Sequence, residues 1–84
     1  MDKEFYTYLL LTEKNTLYCG VSDDPYKRFE KHRQGTAAKY TQANKPVKIV
    51  YLKKFPSKSE AQKEEYRIKQ LTRKEKEALC TSLN

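Results

Sequence analysis

The sequence predicts an α/β chain of the α+β type, a small sheet with helices around it, ordered strand, strand, helix, strand, helix, helix. Three observations predict it. Two short apolar and aromatic runs, 5–11 and 17–21, are joined by a polar stretch long enough only for a turn. Asp24 directly before Pro25 starts a helix immediately behind the second run. After a third β-rich run come two capping boxes, Ser57 with Glu60 and Thr72 with Glu75. Sheets and helices must bury their apolar sides against one another, so this order favours one packed unit.

The first strand spans 5–11, Phe-Tyr-Thr-Tyr-Leu-Leu-Leu, and the second spans 17–21, Leu-Tyr-Cys-Gly-Val. With Thr12 to Thr16 as the turn, the pair is an antiparallel hairpin. If Leu11 sits opposite Leu17, Tyr6, Tyr8, Leu10, Tyr18 and Gly20 share one face, and Thr7, Leu9, Cys19 and Val21 share the other. A one-residue slip would separate the tyrosines. Gly20, near the strand's end, marks a bend or a close approach to the backbone. The first helix runs from Pro25 to about Gln34 and stops at Gly35. Arg28 and His32, four apart, share a face of it, and Tyr26 and Phe29 turn toward the buried side.

A long polar and basic connection, 35–46, contains Lys39, Tyr40 and Lys45 and has the length of a functional loop. The third strand, 47–55, is bracketed by Pro46 and Pro56. Its position in the sheet is not fixed by pattern alone. The second helix starts after Ser57 and reaches about Gln70, with Ala61, Ile68 and Leu71 as its apolar stripe. Glu64 and Glu65 lie on or beside that stripe, where a carboxylate requires a partner or a task. A last helix follows Thr72 and ends near Ser82.

At 84 residues the chain is one domain with a thin core, and its seven Tyr and three Phe compensate by burying large areas. The net charge of +7 favours a polyanionic partner, most often nucleic acid, over a merely well-solvated surface. Cys19 and Cys80, far apart and without framework spacing, read as reduced thiols, and with the one histidine they are too few for a structural zinc site. No apolar run approaches the ~18 residues of a membrane span, and the N-terminal residues do not read as a signal peptide. A cytoplasmic location is the expectation.

Tyr18 and Gly20 on the second strand, with Arg28 and His32 on the next helix, make a polar constellation beside a core, and Tyr8 shares the hairpin face of Tyr18 and Gly20. Each member also has an ordinary reading. The tyrosines serve as core aromatics with hydroxyls reaching solvent, Arg28 as a surface ion-pair partner, and His32 as a histidine favoured at a helix C-terminus. Glu65 serves as the i,i+4 partner of Lys69.

Taken together with a glutamate on the later helix, these residues resemble the GIY-YIG endonuclease superfamily, in its small single-domain bacterial group. The resemblance covers roughly residues 6–79. It is carried by Tyr8, the run Leu17-Tyr18-Cys19-Gly20-Val21, Asp24, Lys27-Arg28-Phe29, His32, Ala38-Lys39-Tyr40-Thr41, Pro46, Val50-Tyr51 and Ser59-Glu60-Ala61, with Glu65, Ile68 and Lys69. It implies a three-stranded antiparallel sheet flanked by helices and metal-dependent hydrolysis of a DNA phosphodiester with Mg²⁺ or Mn²⁺. It assigns Tyr8, Tyr18, Arg28, His32 and Glu65 to the catalytic site, Gly20 to the second motif and Glu65 to the metal. The chain departs from the family pattern at Tyr6, where the first motif has glycine, and at Cys19, where isoleucine is usual. Arg33 follows His32 where asparagine is frequent, and a late asparagine found in larger members has no counterpart.

The residue chemistry suits that activity. Arg28 offers a planar fork of donors to phosphate oxygens, and one glutamate with waters and substrate phosphate is enough for Mg²⁺. A tyrosine base, Tyr8 in preference to Tyr18, requires cations that lower its pKa, and His32 is a candidate to share that work. Lys27, Lys31, Arg33, Lys39, Lys45, Lys48 and Arg73 are candidate phosphate contacts, and Tyr40 is a candidate stacking platform. The expected substrate is structured, branched, damaged or single-stranded DNA, with RNA not separated from it by pattern. A chain this small leaves room for a dimer or a partner protein in substrate selection. The alternative from a different class is a non-catalytic nucleic-acid-binding module on the same fold.

Overall fold

The computed structural model describes residues 4–35 and 44–80. Within these residues six elements follow one another: β1 (Phe5–Thr12), β2 (Leu17–Ser22), α1 (Pro25–Arg33), β3 (Pro46–Phe55), α2 (Lys58–Lys69) and α3 (Arg73–Cys80). The strands form one antiparallel sheet in the order β2-β1-β3, so the strand nearest the N-terminus is central. The fold is the expected α+β arrangement, with each strand longer than its sequence pattern by a residue at one end.

The hairpin has the register set by Leu11 opposite Leu17, with Tyr8 facing Gly20 and Leu10 facing Tyr18. The turn is held by Thr12, whose Oγ1 lies 2.6 Å from Thr16 Oγ1, and by Asn15 in the left-handed region at φ 59°. The third strand pairs with β1, not β2, and its register shifts between Leu9 and Leu10 and between Leu11 and Thr12. Those irregularities add local twist to a sheet that must be covered on both faces.

Both faces are covered. On one, Leu9, Cys19 and Tyr51 pack with Ile68 of α2, joined by half-buried Leu17, Leu71 and Leu79. There Thr7 Oγ1 donates to the Ala61 carbonyl at 2.7 Å and ties the middle of β1 to α2. On the other face α1 sits over Tyr8 and Tyr18 through His32. The buried residues of α1 are Pro25 and His32, seven apart, with half-buried Phe29 between them on the same row. Tyr26, expected on that side, lies a hundred degrees round the helix from Pro25 and is 66% exposed.

The caps form as the sequence indicates. Asp24 Oδ1 accepts from Lys27 N at 3.1 Å, and Ser57 Oγ accepts from Glu60 N at 3.3 Å. The box at α3 is reciprocal: Thr72 Oγ1 accepts from Glu75 N, and Glu75 Oε1 accepts from Thr72 N. Gly35 takes φ 77° just beyond α1, the conformation that ends a helix. Arg73, a candidate phosphate contact by sequence, is engaged elsewhere: its Nη1 donates to the Asn15 carbonyl at 2.7 Å and ties α3 to the hairpin turn. Both cysteines are free thiols, and burial pushes Cys19 up to about 12, which leaves it an unreactive core residue. Among the described residues no helix is long and apolar enough to cross a membrane.

Candidate active site

A cavity of about 380 Å³ opens at the β2 edge of the sheet, where α1 approaches from one face and α2 from the other. Tyr8 comes from β1, Tyr18 and Gly20 from β2, Arg28 from α1 and Glu65 from α2. Four of the five residues read as catalytic thus share one cavity. The fifth, His32, lies directly behind it, fully buried, with Nε2 3.1 Å from Tyr8 Oη and its ring edge-on to Tyr18 at 5.1 Å between centroids.

Gly20 has a steric reason. The Tyr8 ring lies across it, and a Cβ at position 20 would sit 2.5 Å from Tyr8 Oη and 2.6 Å from Cζ. The pairing of Tyr8 with Gly20 across the hairpin therefore lets a tyrosine lie down toward the cavity instead of standing on the sheet.

The electrostatics differ from the sequence expectation. Burial raises the Tyr8 hydroxyl from its ordinary value of 10 to about 12, reinforced by Tyr18, and Arg28 opposes this only in part. His32 moves the other way, from 6.5 to about 4, first through burial and then through the Arg28 charge. At neutral pH the pair is therefore a protonated phenol beside a neutral imidazole. Neighbouring cations do not by themselves make Tyr8 a base.

His32 makes the stability of the fold depend on pH. Its folded pKa lies below its unfolded value, so between pH 6.5 and 4 the unfolded chain binds more protons, and stability falls as pH falls through that window. Moving from pH 7 to pH 5 is expected to cost about 2 kcal/mol through this residue. Urea titrations at the two pH values measure it. His32→Gln should flatten the difference, and an equally steep loss in that variant would refute the assignment.

Position also separates the two glutamates. Glu64 has a partner: its carboxylate accepts from Tyr51 Oη at 2.8 Å and from Arg67 Nε and Nη2 at 2.7 and 2.8 Å. Those bonds, Arg67's foremost, hold its pKa below the ordinary value against the cost of burial. Glu65 lines the cavity, and its Oε2 lies 3.6 Å from Lys69 Nζ in a partly exposed i,i+4 pair. Such a pair is worth at most about 1 kcal/mol and separates readily.

Two further wall residues were not singled out by the sequence, Lys58 and Gln62. With Glu65 they occupy positions i, i+4 and i+7, a single row along α2, and that spacing was the available signal. Lys27 and Lys31 line a second, smaller cavity beside Arg28. Arg33 lies near Glu30 at 3.7 Å and over the Phe29 ring, while Lys45 and Lys48 are exposed at the start of β3. Lys39 and Tyr40 fall outside the described residues.

The family model for the GIY-YIG catalytic domain matches residues 4–78. The chain belongs to the GIY-YIG family. This GIY-YIG domain is 46% identical over 76 residues to a UPF0213 protein of Oceanobacillus iheyensis, covering 90% of this chain and 88% of the relative. It is 49% identical over 70 residues to a UPF0213 protein of Bacillus velezensis, covering 83% and 71%. The solution NMR structure of a UPF0213 protein from Bacillus halodurans matches with TM-score 0.59 at 40% identity, over 96% of this chain and 85% of that one. The GIY-YIG domain is a nuclease superfamily, which implies a nucleic-acid substrate.

The divalent metal expected from the sequence has few protein donors to hold it. Among the described residues no three His, Cys, Asp or Glu side chains gather to hold an ion. Glu65 and Asp23 both line the cavity, from α2 and from the segment between β2 and α1. That set fits a hydrated Mg²⁺ or Mn²⁺ held by one carboxylate, waters and substrate oxygens, and it does not fit an all-protein cage.

Proposed function

We propose that this chain is a metal-dependent endonuclease that hydrolyses a phosphodiester in structured or damaged DNA, with Tyr8, Tyr18, Arg28, His32 and Glu65 as its site. The observation that carries this reading is the single cavity at the β2 edge that Tyr8, Tyr18, Arg28 and Glu65 line together. Arg28 binds the phosphate oxygens and stabilises charge that grows on them as water attacks. Glu65 would hold the metal, which would supply polarisation of the phosphoryl oxygen and stabilisation of the leaving oxygen.

Tyr8 and His32 handle the proton. The attacking water gives its proton to Tyr8 Oη, and the Tyr8 proton passes to His32 Nε2 over the 3.1 Å contact. A bound phosphodiester supports this transfer, because its negative charge offsets the Arg28 charge that helps keep the imidazole neutral. Tyr18, half-buried on the cavity wall, positions the water or the phosphate.

The test is cleavage of labelled branched and single-stranded DNA with Mg²⁺, with Mn²⁺ and with chelator. Arg28→Ala should lower the rate by about 10²–10³-fold, the usual loss when one transition-state donor is removed. It should leave thermal unfolding nearly unchanged. Binding without cleavage in every condition would replace the nuclease with the nucleic-acid-binding module. That second reading draws on the +7 charge and on Lys69 beside Glu65.

A further inference from the structure

Two cavities lie side by side along α1 and share a wall. The main one holds Tyr8, Tyr18 and Glu65, and the other, about 160 Å³, is bounded by Asp24, Lys27 and Lys31. Ser22, Asp23 and Arg28 line both. The two cavities are therefore the ends of one groove with Arg28 at the divide, and Lys27 and Lys31 at the smaller end have no part in the proton and phosphate chemistry above.

The chemistry of that end selects its occupant. Every residue around it is polar or charged apart from the stems of the lysines, so an apolar group finds nothing to bury against. Lys27 and Lys31 are four apart, which brings their stems side by side, about 5–6 Å at Cβ. Two carboxylates also reach the rim. Asp24 is engaged as the cap of α1, accepting from Lys27 N, and Asp23 stands on the shared wall between the two ends. A second phosphate, covalently linked to the one at Arg28, fits this arrangement: the Lys27 and Lys31 ammonium groups meet it, and with Arg28 the three cations outnumber the two carboxylates.

We propose that the groove seats one nucleic-acid strand across two successive phosphates, the cleaved one at Arg28 and Glu65 and its neighbour at Lys27 and Lys31. This rests on the nuclease reading of the main cavity and adds a substrate requirement. The cleaved bond must carry an adjoining phosphate on the α1 side, so an isolated phosphodiester is a poor substrate.

The test compares bis(p-nitrophenyl) phosphate, which has one diester, with an oligothymidylate, in the whole chain and in the Lys27→Gln/Lys31→Gln variant. The ratio of kcat/KM for the oligonucleotide to that for the small diester should fall about tenfold in the variant, through KM for the oligonucleotide. An unchanged ratio overturns the proposal. If the unmodified chain cleaves neither compound, the nuclease reading has failed, and the groove is judged by binding. The salt dependence of oligothymidylate affinity should then become shallower by about 1.4 in log–log slope, two phosphate contacts' worth for a single strand. An unchanged slope overturns the groove.

Discussion

Glu65→Gln should reduce phosphodiester cleavage by on the order of 10³-fold, while Glu64→Gln leaves cleavage within a few-fold of the unmodified chain and lowers stability instead. The two residues are adjacent and chemically identical, so the contrast isolates position. Glu65 faces the cavity, and its ion pair with Lys69 is partly exposed. Its loss would remove the carboxylate proposed for the metal and little of the packing. Glu64 is turned toward the core, where it joins Tyr51 of β3 to Arg67 of α2. An amide there keeps the shape and forfeits the charge-assisted bonds, at about 1–3 kcal/mol. Cleavage assays beside thermal melts of both variants read the difference. Equal loss of cleavage in the two would place the metal on neither glutamate alone and sink the assignment.

Gly20→Ala is expected to be the most damaging single-methyl change on the hairpin. The added Cβ would lie 2.5 Å from Tyr8 Oη, and Tyr8 cannot move aside easily, since it is 1% exposed and its hydroxyl meets His32. Overpacking of this kind costs about 1–3 kcal/mol. In a domain of this size that is a fall in Tm of roughly 5–15 °C. Cleavage should fall further than stability explains, because relief of the clash swings the tyrosine away from the cavity. A double-mutant cycle supplies the control. With Tyr8→Leu in place the same alanine should cost much less, and additive effects would show that the two residues do not meet as described.

The parts of this molecule that depend on neighbours in sequence were legible. The hairpin register followed from a short polar turn between Leu11 and Leu17, and Asp24, Ser57 and Thr72 cap the helices their spacing announced. Contacts between distant segments were not. Pattern alone could not place β3 beside β1, because a strand's own residues do not name its partner. Nor could it decide which glutamate found Tyr51, since both lie near the same stripe of α2. The exposure of Tyr26 is not legible from its aromatic character, because the buried row of α1 runs through Pro25 and His32. The proximity of Tyr8 and His32 was legible as a shared neighbourhood. Its electrostatic sense was not, because burial, which outweighs the nearby charge, is a property of the assembled fold.

The central place of β1 also governs the order in which the chain can complete itself. On a ribosome the middle strand emerges before its two neighbours and acquires β2 almost at once, since the turn between them is local. Its other edge waits until Phe55 is available to meet Phe5, with α1 and the long basic connection lying between. Until then Leu9 and Leu10, fully buried in the finished sheet, belong to a strand with one side unpaired. Such an edge is a template for pairing with a second nascent chain. The late, long-range closure of β3 onto β1 is therefore expected to be the slow step of folding, the one at which self-association competes most strongly.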